Sequence, residues 1–146
     1  MRIVALGMGL GACHGVVLAA GPAVPASKAA AVADTPTIDW ASALLVTVQM
    51  VDDRFVPDKL VFRRGVPYRL HMENSDADIH DFTAPEFFNA IAIRNPEVLE
   101  RTRQDEVSLQ PKEQKDLYFV ARKPGLYRLT CVNHDWDNMV GDITIE

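Results

Sequence analysis

The 146-residue chain is 48% hydrophobic and 24% charged with a net charge of −5, a composition that fits a globular domain and excludes a disordered one. Arg2 and Lys28 are the basic residues ahead of Asp34, in a stretch without acidic ones, so a chain cut after residue 33 carries thirteen basic against twenty acidic residues, a net charge of −7. That balance argues against nucleic acid as a partner and for steering towards a basic surface, weakened by salt.

Residues 1–33 run from Arg2 through an apolar stretch into small residues, the order of a secretory signal. Ala31-Val32-Ala33 offers a small-x-small cleavage site, with earlier cuts near Ala26 or Ala29. Gly and Pro interrupt the apolar run, which disfavours a membrane-spanning helix. A competing reading takes Leu10-Gly11-Ala12-Cys13 as a lipoprotein processing site, which would tether the domain to a membrane through lipidated Cys13. The expectation is export to the periplasm, with a membrane-anchored lipoprotein as the alternative. After either event Cys131 is the one thiol left for folded chemistry, and it has no internal disulfide partner.

Residues 34–43 read as a polar lead-in and 44–146 as the domain. The run 44–51 is rich in β-branched residues and predicts a strand; Asp52-Asp53-Arg54 is a turn. Phe55, Pro57 and 60–62 follow, then a second turn at Arg63-Arg64-Gly65. Residues 68–73 alternate, with Tyr68, Leu70 and Met72 on one face and Arg69, His71 and Glu73 on an exposed one. Asn74-Ser75-Asp76 breaks the pattern, and 79–83 predicts a short strand around His80. Residues 86–103 differ in character: Asn95 at a cap position and Pro96 after it predict a short helix or an irregular excursion. Strands resume at 106–109, 116–121, 126–131 and 142–145, with a tight turn at Lys123-Pro124-Gly125. Short strands with frequent turns predict an all-β, Greek-key antiparallel sandwich, and a domain of ~110 residues buries a core without disulfides.

The chemistry gathers near the C-terminus. Cys131, His134 and Met139 supply a thiolate, an imidazole and a thioether from one loop, and His80 stands far upstream at a strand end. Taken singly, each has a plainer reading: a small buried hydrophobe, a core filler, a satisfied histidine. Taken together, two His and one Cys with a weak Met are the donors of a blue-copper site, soft enough for Cu+ and tolerant of Cu2+. Zinc would favour more thiolates and has little use for Met. A hydrolase built on Cys131 would need an oxyanion hole and an orienting group, and no motif marks either.

The stretch from Pro124 to Cys131, with His134 two residues beyond the Cys and Met139 four beyond that His, resembles the copper loop of plastocyanin and pseudoazurin in the cupredoxin superfamily. The earlier segments, Phe55-Val56-Pro57, 60–62, Gly65 and Asn74, resemble the first strands of that superfamily. The resemblance implies a metal centre of one copper per chain, with His80 the upstream ligand, Cys131 the thiolate, His134 the solvent-side ligand and Met139 the axial one. The stretch 80–88 is similar to small periplasmic cupredoxins of bacteria, some linked to copper tolerance. Two departures stand out. Asp81 occupies a place where the family carries an Asn that ties the ligand loops together. Asp135, Trp136, Asp137 and Asn138 replace the glycines expected around the exposed His; Trp136 is placed to cap His134 or to dock a partner, and the two Asp to lower the reduction potential.

Two roles follow from the same ligands. One is electron transfer by a monomer between periplasmic redox proteins, without enzymatic activity. The other is copper handling with a copper-delivering or copper-receiving partner, as a tolerance factor.

Overall fold

A computed structural model describes residues 37–102, 104–134 and 138–146; the leader, Cys13, the start of the lead-in and Asp135, Trp136 and Asp137 lie outside the described residues. Among the described residues the strands are β1 (Leu44–Val51), β2 (Arg54–Val56), β3 (Lys59–Phe62), β4 (Pro67–Asn74), β5 (His80–Thr83), β6 (Ile91–Ile93), β7 (Glu106–Leu109), β8 (Gln114–Ala121), β9 (Gly125–Thr130) and β10 (Val140–Ile145). They form two five-stranded sheets, ordered β2-β1-β4-β8-β6 and β3-β10-β9-β5-β7. The all-β sandwich expected from the pattern is what forms. Within it β1 runs parallel to β4, and β3 parallel to β10, pairings that no local pattern announces. Among the described residues no helix is long and apolar enough to cross a membrane.

The period-two pattern explains the packing. In β4 the residues Tyr68, Leu70, Met72 and Asn74 are buried while their neighbours are half-buried, and β10 alternates in the same way through Gly141, Ile143 and Ile145. The inward faces meet in a core that includes Val48, Met50, Leu70, Met72, Leu117, Leu129 and Ile143. Met50 and Met72 fill this core as their positions imply.

The outer face of the first sheet is not bare. His71, expected to be exposed, is half-buried because Asp116 on the paired strand β8 takes its Nδ1 at 2.9 Å. Arg69 donates to both oxygens of the same carboxylate, at 3.0 and 2.8 Å. Nearby, the Arg94 guanidinium lies 5.2 Å from the Trp40 ring centre and 5.6 Å from that of Tyr118, which seats the short 3-10 turn Trp40–Ser42 on the sheet.

The excursion between β5 and β7 is one helical turn, α1 (Pro85–Phe88), then β6 and a 3-10 turn at Pro96–Val98. Helix α1 delivers Phe87 and Phe88 to the core, so both aromatics are packing residues. The turn at 63–65 closes because Gly65 takes φ +79°, a left-handed conformation that costs glycine little.

Candidate metal centre

The site lies at one end of the sandwich, where the connections 52–53, 75–79 and 110–113 come together with 131–134. The first is a two-residue hairpin loop, since Val51 pairs with Arg54. Asp52 and Asp53 both take positive φ, 51° and 53°, the geometry of a type I′ turn, which Asp tolerates. This turn sets the Asp53 carboxylate 4.0 Å from His80, the first residue of β5.

Asn74, 1% exposed at the end of β4, joins the connections. Its side-chain amide donates to the carbonyls of Asp78, Leu109 and Gln110 at 2.8, 3.1 and 3.1 Å. Its Oδ1 accepts the Asp76 amide at 2.9 Å. Lys112 Nζ donates to the Ser75 carbonyl from the neighbouring loop.

His80 begins β5 and is fully buried. Its Nδ1 lies 3.7 Å from Cys131 Sγ, although 51 residues separate the two. Its Nε2 faces the other way, 3.0 Å from Asp76 Oδ2 and 4.0 Å from Asp53 Oδ1. Cys131 follows β9, is buried, and its sulfur accepts the Asp81 amide at 3.3 Å. Met139 is fully buried, and its carbonyl accepts the Cys131 amide at 3.1 Å. The fold therefore gathers His80, Cys131 and Met139. The backbone of His134 closes the 3-10 turn Val132–His134; its imidazole lies outside the described residues.

The tie between the ligand loops survives with its polarity reversed. Asn133, two residues beyond Cys131, donates its side-chain amide to Asp81 Oδ2 at 2.6 Å. Asp81 is nearly buried at 6% exposure, so a charge-assisted bond of this kind is strong. Asp76 is the other carboxylate at work. Burial pushes its carboxyl up, but the Asp52 amide, His80 and the Asp53 amide outweigh that and hold it below the ordinary carboxylate range. Sequence reasoning missed Asp53, Asp76 and Asn133 as parts of the site. No local pattern marks them, because each stands on a different connection.

The donors fit a soft metal ion. The imidazole nitrogen of His80 and the sulfur of Cys131, 3.7 Å apart, would both be able to reach one cation. A thiolate, an imidazole and a buried thioether are a copper set rather than a zinc set. A nucleophilic role fits poorly, because a sulfur at 0% exposure is shielded from a substrate carbonyl.

The family model for the cupredoxin-like domain matches residues 16–145. Among solved structures, reduced auracyanin from the photosynthetic bacterium Roseiflexus castenholzii superposes with a TM-score of 0.54 at 14% identity, over 71% of this chain and 98% of that one. Auracyanin A, a "blue" copper protein from Chloroflexus aurantiacus, gives 0.53 at 14% identity over 71% and 99%. Auracyanin B gives 0.51 at 17% identity over 71% and 89%. At these identities the likeness is one of fold. No curated protein matches the chain at a significant level.

Proposed function

The chain belongs to the cupredoxin-like family, and from that premise we propose that it is an electron carrier holding one copper ion through His80, Cys131, His134 and Met139. The observation that carries the reading is the approach of His80 Nδ1 to Cys131 Sγ at 3.7 Å. Bound copper supplies one-electron chemistry, passing between Cu2+ and Cu+. The protein's part is to hold the donors still. The Asp81 amide fixes the sulfur, the Met139 carbonyl holds the Cys131 backbone, and Asn133 clasps Asp81 across the two loops. Donors pinned in this way move little when the charge on the ion changes, which favours transfer over a reaction needing rearrangement. Burial of His80, Cys131 and Met139 keeps bulk water from these donors.

In this reading the chain is exported to the periplasm and works there as a monomer, without catalysing a reaction of its own. Its acidic surface steers it towards a basic redox partner. The test is the absorption spectrum of the Cu2+-loaded domain. An intense visible thiolate-to-copper band that disappears in Cys131→Ser and weakens or shifts in His80→Ala supports the proposal; a colourless loaded protein overturns it.

A further inference from the structure

On the far side of His80 from Cys131, the ring nitrogen Nε2 meets a carboxylate. Asp76 Oδ2 stands 3.0 Å away, and this is a held contact. Asp76 Oδ1 accepts the Asp52 amide at 3.3 Å and its own amide donates to Asn74 Oδ1 at 2.9 Å. The carboxylate therefore cannot turn away without giving up its bond to the type I′ turn, and the Asn74 clasp holds the Asp76 backbone in place beneath it. His80 is fully buried, so an Nε2–H left without an acceptor would cost a full desolvation penalty.

We propose that Asp76 is the positioning residue of the metal centre: by taking the Nε2–H of His80 it holds the imidazole in the tautomer whose Nδ1 lone pair faces Cys131, and its charge shifts the site towards the oxidised ion. This rests on the copper reading above. A neutral imidazole has one proton and one lone pair on its two nitrogens, so the placement of one fixes the other. A carboxylate behind a metal-bound histidine orients the ring and raises its basicity. A more basic donor with negative charge behind it favours Cu2+ over Cu+, and so lowers the reduction potential.

Asp53, Asp76 and His80 present donor atoms all within 4.8 Å of one another, which invites comparison with a second cation site. With the Nδ1 lone pair turned to Cys131, Nε2 carries the proton and has no lone pair for a second ion. Asp53 Oδ1, at 4.0 Å, is too far for a hydrogen bond and adds only field.

The test compares the copper-loaded full domain with Asp76→Asn and Asp53→Asn variants, by Cu2+ affinity and by reduction potential. Asp76→Asn keeps an acceptor oxygen but loses the charge; it is expected to lower Cu2+ affinity about 10–100-fold with less effect on Cu+. A difference of that size raises the potential by about 60–120 mV at 59 mV per tenfold. Asp53→Asn is expected to shift both by less. In the metal-free domain, nitrogen-15 NMR of His80 should find the proton on Nε2, a readout that needs neither copper nor a folded variant. A proton on Nδ1 overturns the proposal, as does an Asp76→Asn protein within about twofold of the parent, or an Asp53→Asn protein shifted equally. Should the parent itself lack the thiolate-to-copper band, the copper reading fails; a banded parent with an unshifted Asp76→Asn sinks only the role of Asp76.

Discussion

At one end of the sandwich Phe62, Tyr68, Phe87 and Phe119 meet ring to ring, with centroids 4.9 to 5.7 Å apart. At the other end Asn74, Asp76, His80, Asp81 and Cys131 meet through directed bonds between polar atoms. The surfaces differ as well. Arg63, Arg64, Arg122 and Lys123 are exposed beside the aromatic end, and Asp52, Asp53, Asp58 and Asp78 beside the polar one. Large rings bring much of the burial energy and settle into edge-to-face or stacked contacts. Hydrogen bonds contribute less net stability but dictate direction. The molecule thus keeps its stability and its chemistry at opposite ends of the same strands.

The most severe way to break that division is a pair of substitutions. Phe119→Ala at the aromatic end should cost about 3–5 kcal/mol, read from the denaturant midpoint, while the folded fraction keeps its copper band. Cys131→Ser should abolish the band and cost the metal-free protein no more than about 2 kcal/mol. If both variants lose stability equally and both lose the band, the two ends are one cooperative site and the contrast is false.

Asn74 tests whether the clasp belongs to both functions. Asn74→Ala leaves the carbonyls of Asp78, Leu109 and Gln110 without that amide and should cost about 1–3 kcal/mol. It should also speed copper loss to a chelator, followed by decay of the band; an unchanged rate would confine Asn74 to the scaffold.

Gly141 sharpens the comparison at the strand that leaves the site. A Cβ there would lie 2.6 Å from the Asp58 carbonyl oxygen, which accepts the Asp142 amide at 2.8 Å. Gly141→Ala should therefore cost about 1–3 kcal/mol by overpacking, and a thermal melt matching the parent would contradict the close approach.

The smallest effect is expected on the outer face, away from both ends. Hydrogen bonds from Arg69, working against burial and aided by His71, hold the Asp116 carboxyl below its ordinary range. A carboxyl lowered by folding stabilises the protein above its unfolded value, about 3.9, and that contribution fades as pH falls through the folded value. Asp116→Asn should flatten part of the acid limb below about pH 4 in midpoint-against-pH curves. Screening at 30% side-chain exposure keeps the change slight, and an acid limb as steep as the parent's would contradict it.

Much of this was legible in the residues. The β-branched run Leu44–Val51 is a strand over that whole span, and the Asp52-Asp53 signal is a hairpin loop. The spacing of Cys131, His134 and Met139 is by itself the mark of the family. What stayed hidden depends on neighbours remote in the chain. The parallel pairing of β1 with β4 gives no local signature, and β6, three half-buried residues, is too short to show a period. Asp53 and Asp76 stand in loops, where acidic residues usually form a solvated surface and carry no local sign of a partner. His71 read as exposed because its partner, Asp116, lies 45 positions away. Asp81 suggested an altered or charged tie, and the fold supplies its partner by bringing Asn133 across.

Because one buried amide spans residues 78, 109 and 110, the mouth of the site takes shape when the chain folds rather than when a cation arrives. The ordering entropy of bringing His80 to Cys131 is met by the sandwich. In the proposed reading, an incoming ion finds the nitrogen of His80 and the sulfur of Cys131 already brought together by the fold.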